Sequence, residues 1–431
     1  MVQANIKQQE TGLKGGTAGW LLLASLGVSF VISGDFAGWQ FGLGPGGWGG
    51  MLIALLIVAV LYFTMSLSLA ELSATLPSAG GGYRFASVGL GRTWGFITAS
   101  AIVIEYAVAP AAIATFIGGY TESLGLMKSD WKLYLLVYAV FVAIHLSGAG
   151  EAMKLMLAIS AIAVLALIIY SIVMAPHYSP TNLGPLFPAG ARGIWAAFPF
   201  AIWFFLAVEG VPMAAEEAKD PRKDVPRAII IAMVILFICA LAMMFFGPGG
   251  AGTSVFAESA NPLVDGLSHV GASSAITVAI NYAALLGLIA SFFSITYGYS
   301  RLIYSLSRDR VLPSFLSATN RRGAPTWALI LPAILGFILT LFIDGDTLMS
   351  VAVCGAVISY ALMMASHIAM RRTKPSLPHP YRTPGGIFTS SIALILSLLA
   401  ILSTFLSNWR VGLATLIVLD IMLITHKLRR N

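Results

Sequence analysis

Ser33-Gly34-Asp35-Phe36-Ala37-Gly38-Trp39 is the stretch whose reading decides the fold of this chain. It interrupts the apolar run Trp20 to Ile32 with a small polar pair, a carboxylate and a second glycine. An acid at membrane depth costs about 3 kcal/mol on insertion scales, so it normally faces a partner or a cavity. Non-helical backbone at that depth is tolerated only where it is buried in protein or lines a cavity. An acid on a broken helix therefore reads as a binding site.

Working outward, the 431 residues are 58% hydrophobic and only 10% charged, against about 25% charged in a soluble domain. Apolar runs of spanning length recur along the chain, as a polytopic membrane protein requires. A net charge of +7 would suggest a nucleic-acid partner in a soluble protein, but an excess of Lys and Arg on one membrane side accounts for it. Cys239 and Cys354 both lie inside apolar runs, so neither a disulfide framework nor a metal cluster is supported. The scattered histidines offer no catalytic constellation, so an enzyme is not expected, and no cofactor. Repeated polar rings of the kind that line a channel are also lacking. No cleavable signal peptide is evident, since Met1 to Gly16 is polar and the first apolar run is too long for one.

Twelve spans are expected, at 17–44, 48–76, 93–121, 131–147, 152–175, 194–216, 227–247, 273–307, 325–343, 347–370, 388–406 and 409–427. An amphipathic piece is expected on the surface near Val255–His269. With the N-terminus inside, only Lys128, Lys132, Arg192 and Arg410 fall outside, a split of 21 to 4 over the 25 basic residues. This predicts a multi-pass protein of the cell membrane with both termini cytoplasmic. Span six, Ala201-Ile202-Trp203-Phe204-Phe205-Leu206-Ala207-Val208-Glu209-Gly210-Val211-Pro212, has the same mix of acid, glycine and aromatics as span one. Interrupted helices five spans apart point to a midplane site between inverted repeats.

Three motifs then carry a resemblance. Glu71-Leu72-Ser73-Ala74-Thr75-Leu76-Pro77-Ser78-Ala79-Gly80-Gly81-Gly82-Tyr83 resembles the motif ending span two of the amino acid–polyamine–organocation transporters. Ala215-Glu216-Glu217-Ala218-Lys219-Asp220-Pro221-Arg222-Lys223-Asp224-Val225-Pro226-Arg227 resembles their motif after span six, and Ser300-Arg301 through Pro313 the one ending span eight. The resemblance implies an all-α membrane fold of twelve helices, a five-plus-five inverted repeat with helices one and six broken. It assigns 1–16 to a cytoplasmic tail, 17–175 to the first repeat, 194–370 to the second and 388–427 to two added helices. It also implies alternating access, with a proton or a sodium ion as candidate coupling ion. Some proton-coupled relatives carry a lysine near the position of Ala163; Lys154 lies too early to be its counterpart.

Within that superfamily, Ile32-Ser33-Gly34-Asp35-Phe36-Ala37-Gly38-Trp39-Gln40-Phe41-Gly42-Leu43 resembles the ethanolamine permease branch. Where amino acid carriers follow Gly-Ser-Gly with an apolar residue, this chain places Asp35. A carboxylate there repels a substrate carboxylate and pairs with an ammonium. The expected substrate is a small amine, ethanolamine above all; an amino acid or polyamine carrier is the alternative.

The candidate site comprises Ile32, Ser33, Gly34, Asp35, Phe36, Glu105, Tyr106, Trp203, Phe204, Ala207, Glu209 and Tyr297. Asp35 reads either as counter-ion to the ammonium or as a cap on the second half of the broken helix. By resemblance Glu209 and Trp203 are gating residues, and Glu105 with Tyr106 faces the substrate; Glu209 reads otherwise as a bond to unwound amides, Glu105 as an inter-helix link. Trp203, Phe204 and Phe205 would supply cation–π contacts of about 0.5–2 kcal/mol each, and Tyr106 and Tyr297 a bond to the substrate hydroxyl. His145 and His367 read as structural. Glu71, Glu216, Glu217, Arg301, Arg308 and Asp309 read as ion pairs that stabilise one gate state.

Overall fold

The chain enters the membrane region with α1 (Trp20–Val31), breaks at Ile32, and resumes as the single turn α2 (Ser33–Phe36). Ala37 is extended at φ −159° and Gly38 follows at φ 106°, after which a 3-10 turn, Trp39–Gly42, leads into α3 (Leu43–Thr75). Gly47 breaks the start of α3 at φ 62°. A Cβ there would lie 2.5 Å from the Pro188 ring and 2.7 Å from the Pro185 carbonyl, so glycine is needed for conformation and for space. The expected first span, 17–44, therefore consists of α1, α2 and a 3-10 turn that runs into α3.

The rest is likewise helical: α4 (Gly81–Gly89), α5 (Arg92–Ser123), α6 (Trp131–Ser147), α7 (Ala152–Met174) and α8 (Gly190–Trp203). Then come α9 (Pro221–Ala251), the short α10 (Thr253–Phe256) and α11 (Pro262–His269), α12 (Ser274–Arg308), α13 (Thr326–Phe342), α14 (Gly345–Thr373), α15 (Ile387–Ser407) and α16 (Trp409–Leu428). This computed structural model describes Gly16 and residues 18–148 and 152–428. The tail expected over 1–16 lies outside the described residues apart from Gly16, as do Lys7, Lys14, Arg429, Arg430 and the side chain of Lys154.

Among the described residues nine segments are long and apolar enough to cross a membrane. Three shorter apolar helices, Trp20–Val31, Trp131–Ser147 and Thr326–Phe342, stand where spans one, four and nine were expected. The surface piece expected near 255–269 is the pair α10 and α11. Burial separates centre from rim: 89% of the apolar window of α5 is buried, against 17% for α16. α5 packs on α12, α14 and α4, while α16 lies on the outer faces of α14, α15 and α5. Helices in lipid associate through close packing rather than a hydrophobic drive, and a Cβ on Gly355 of α14 would meet the Ala101 carbonyl of α5 at 2.7 Å.

At one end of the molecule a set of contacts joins several segments. The Ala18 amide donates to the Glu217 carbonyl at 3.0 Å, and the Lys219 amide donates to the Ala18 carbonyl at 2.8 Å. Arg301 pairs with Glu217 at 2.7 Å and Arg308 with Glu216 at 3.1 Å. Glu216 also accepts from the Ala79 amide at 3.0 Å. The Arg227 guanidinium lies over the Trp20 ring at 3.9 Å. These contacts join the entry to α1, the α3–α4 turn, the segment after α8 and the end of α12.

Candidate functional site

The two interrupted segments meet at backbone level. α8 ends at Trp203, turns through a left-handed Ala207 at φ 76°, and continues as a 3-10 segment, Val208–Glu217. Opposite it, a Cβ on Gly34 would stand 2.4 Å from the Trp203 carbonyl oxygen and 2.9 Å from the Phe204 Cα; only glycine lets the chains approach so closely. The Trp203 indole donates to the Ala37 carbonyl at 2.9 Å, closing the crossing from the other side.

The backbone of the first break is largely engaged from within. The Ser33 amide donates to Ser291 Oγ of α12 at 3.0 Å, and that hydroxyl donates to the Ser29 carbonyl at 2.7 Å. The Asp35 amide donates to the Ile32 carbonyl and the Ala37 amide to the Ser33 carbonyl. Tyr120 donates to the Phe36 carbonyl at 2.7 Å. The Phe36 ring fills the space over Gly287 of α12. The amides of Ser33, Asp35 and Ala37 are thus occupied within the chain.

Asp35 is the exception. It is wholly buried, and among the described residues neither carboxylate oxygen has a hydrogen-bond partner. It makes no side-chain cap on α2 or on the following 3-10 turn. Asp35 thus lies in the first turn of α2 without a side-chain hydrogen bond to the amides there. α2 packs on α12 and α9. The backbone carbonyl of Asp35 accepts from the Trp39 indole at 3.2 Å, and Trp39 stacks on Phe204 with ring centres 5.8 Å apart. An aromatic pair thus adjoins the acid.

Glu105 and Glu209 form a second acid site on the other side of the crossing. Both are buried, and the Tyr360 hydroxyl lies 3.0 Å from Glu209 Oε2 and 3.4 Å from Glu105 Oε1. Tyr62 stands 3.2 Å from the Tyr360 hydroxyl. Tyr106 donates to the carbonyl of left-handed Ala207 at 3.2 Å, so it holds the second break open. The two carboxyl groups also lie within hydrogen-bonding reach of each other, and the Tyr106 hydroxyl adjoins Glu209.

Tyr297 stands apart from both acid sites. It lies under the Arg301 guanidinium, 4.8 Å from ring centre to charge, because residues four apart share one helix face. It therefore belongs with the Arg301–Glu217 pair. Phe205 packs on Tyr62 rather than on Trp39. His145 bonds the Phe293 carbonyl at 3.1 Å and stacks on that ring. Glu71 is the best satisfied acid: Arg371 Nη2 and the Thr383 amide donate to Oε2 at 2.7 Å each. His367 lies 3.2 Å away and His379 2.9 Å away. Sequence reasoning missed Tyr360, Tyr62 and Ser291; a hydroxyl inside an apolar span was the available signal, but spans hold many such residues. Among the described residues no group of three or more His, Cys, Asp or Glu side chains is arranged to hold a metal ion.

Membrane-length helices around two interrupted segments, with acids at the breaks, define a multi-pass carrier rather than an enzyme. Residues 19–424 match the amino acid permease family. The branched-chain amino acid permease BcaP of Bacillus subtilis is 25% identical over 380 residues, covering 82% of this chain and 80% of its own. An uncharacterised transporter of Rhizobium meliloti is 25% identical over 397 residues, covering 89% and 85%. The methylthioribose transporter of Bacillus subtilis is 24% identical over 380 residues, covering 82% and 79%. The chain belongs to the amino acid permease family, and it is a transporter.

Proposed function

We propose that this permease carries a small organic amine cation, ethanolamine or a close relative, with Asp35 as counter-ion to the ammonium. The observation that carries the reading is the wholly buried Asp35 carboxylate without a hydrogen-bond partner among the described residues. An unpaired buried charge is costly, and an ammonium is the partner that offsets it. Trp39 and Phe204, stacked beside Asp35, supply an apolar and cation-attracting flank. The occupied amides of Ser33, Asp35 and Ala37 disfavour a substrate carboxylate at the break.

The same reading takes 17–175 and 194–370 as inverted halves whose broken helices cross at Gly34 and Trp203. The basic end faces the cytoplasm, with both termini on that side of the cell membrane, as the 21 to 4 charge split favours. Rocking about the crossing then exposes Asp35 alternately, once the Glu217–Arg301 and Glu216–Arg308 pairs part. Glu209 and Trp203 act as gating residues, and the Glu105–Glu209 pair is the candidate site for a coupling proton.

The second reading is an amino acid carrier, favoured by the branched-chain amino acid permeases among the relatives. Uptake of radiolabelled ethanolamine into proteoliposomes, with excess alanine, leucine, arginine and putrescine as competitors, separates the two. Uptake that ignores the amino acids and is lost in Asp35→Asn supports the amine. Strong competition by leucine or alanine, with normal transport by Asp35→Asn, transfers the case to the amino acid carrier.

A further inference from the structure

At the basic end, a recess of about 700 Å³ opens between α4, the first turns of α5, the chain just after α12 and the end of α16. Arg84, Arg92, Arg310 and His426 line it, with Asp309 as the single acid and Tyr83 on its wall. The recess has no part in the substrate reading above and stands whatever the carrier moves.

The recess arginines differ from the three that tie helices together at this end. Arg301, Arg308 and Arg371 are each in an ion pair, whereas among the described residues Arg84, Arg92 and Arg310 are in none. Asp309 is engaged by the Tyr83 hydroxyl instead. Burial, and next the Asp309 charge, holds that hydroxyl above its ordinary range, so Tyr83 remains a donor. Three guanidinium groups face one shared space with a single, already occupied carboxylate. That arrangement suits a group with several anionic oxygens, since guanidinium forks bind phosphate oxygens bidentately.

Arg310 supplies a second observation. The end of α12 is closed by bonds from the Asp309 amide to the Ser305 carbonyl, Arg310 to Ser307 and Val311 to Leu306, each at 2.9–3.0 Å. This places Arg310 at φ 58°, the left-handed position beyond a helix end that glycine fills best. A long cationic residue is held there against backbone preference, and its side chain lines the recess. Strain of this kind marks positions where a side chain is needed.

The surroundings place the recess at headgroup depth. Trp94, in the first turn of α5, is 48% exposed, as expected of an indole at the membrane interface. His426 stacks flat on Phe96 at 4.1 Å, so the end of α16 forms one wall. Above it the outer face of α16 presents Ile417, Ile421 and Ile424 to the lipid, a track along which acyl chains can lie.

We propose that this recess binds a phosphate-bearing anion through Arg84, Arg92 and Arg310, either the headgroup of an anionic phospholipid or a free phosphate ester.

The test uses the full chain purified in uncharged detergent. The titrants are dioctanoyl-phosphatidylglycerol, dioctanoyl-phosphatidylcholine, glycerol 3-phosphate and inorganic phosphate, with affinity read by titration calorimetry. The variants are Arg310→Gly, the double Arg84→Gln/Arg92→Gln, and Arg321→Gln as an exposed basic control. Saturable binding of phosphatidylglycerol but not phosphatidylcholine is expected. Each recess variant should weaken it about tenfold or more, and Arg321→Gln should leave it unchanged. Arg310→Gly should melt no lower than wild type, since glycine suits φ 58°; its loss of binding then cannot come from misfolding. Binding by phosphatidylglycerol alone identifies a lipid headgroup. Binding by glycerol 3-phosphate or inorganic phosphate, lost in the same variants, identifies a soluble anion. Either supports the site. Anion binding that is equal in wild type and all variants, or absent for every titrant, overturns it.

Discussion

Asp35 and Glu71 are equally hidden, at 0% and 1% exposed, yet the fold treats them in opposite ways. Glu71 sits among Arg371, His367, His379 and the Thr383 amide, all within 3.2 Å. The Asp35 carboxylate has no hydrogen-bond partner among the described residues. A buried carboxylate costs several kcal/mol unless partners offset it. For Glu71 the chain supplies those partners, and they join α3 to α14 and to the segment before α15. For Asp35 it supplies none, which is the pattern expected of an acid whose partner arrives from outside. Glu105 and Glu209 stand between these extremes, held by Tyr360 and by each other rather than by a counter-charge. The state of satisfaction, more than burial, separates an acid that builds the fold from one that serves a ligand.

The largest expected effect is on stability, at the satisfied acid. Glu71→Gln should cost about 3 kcal/mol, near the low end for breaking a buried ion pair, because the amide oxygen still accepts. Its melting temperature should fall while ethanolamine uptake per folded molecule is kept. An unshifted melting curve would mean that the Arg371 and histidine contacts contribute little, and the comparison would lose one side.

Asp35→Asn should act in the reverse sense. Uptake should drop about a hundredfold, equal to about 2.7 kcal/mol, with melting unchanged or raised because an uncompensated charge is gone. A large loss of stability would show Asp35 to be structural.

Gly34→Ala comes next, at about 2 kcal/mol for overpacking. Its Cβ would meet the Trp203 carbonyl at 2.4 Å, so the two breaks must move apart, lowering both melting temperature and ethanolamine affinity. Unchanged affinity would separate the Asp35 site from the crossing.

Tyr360→Phe is the mildest, about 1 kcal/mol or up to tenfold in uptake rate. It removes one donor from the Glu105–Glu209 pair and should leave the equilibrium affinity for ethanolamine intact. A fall in affinity as large as that of Asp35→Asn would move the substrate to the acid pair.

How legible this was in the sequence varies with distance along the chain. The break at Ile32 to Gly38 and its counterpart after Trp203 were readable because glycines, acids and aromatics inside an apolar run are local signals. The break at Gly47 in the first turns of α3 was not, since it takes its conformation against Pro185 and Pro188, far along the chain. Glu71 was readable as an ion-paired acid, but its partners lie 296 to 312 residues later and only the fold names them. Residues of a broken helix do not follow a 3.6 period, so the sequence could not say that the Asp35 carboxylate is wholly buried without a hydrogen-bond partner among the described residues. Tyr297 had a local signal, Arg301 one turn on, whose guanidinium lies over its ring. Tyr360 had none beyond its hydroxyl.

Equilibrium binding of radiolabelled ethanolamine to purified wild type and Asp35→Asn, at a temperature where both are folded, tests the central claim most directly. The account predicts saturable binding by wild type that leucine does not displace, and loss of about a hundredfold in affinity in the variant. Equal affinity in the two proteins, or displacement by leucine, would contradict it and leave Asp35 without a role in substrate recognition.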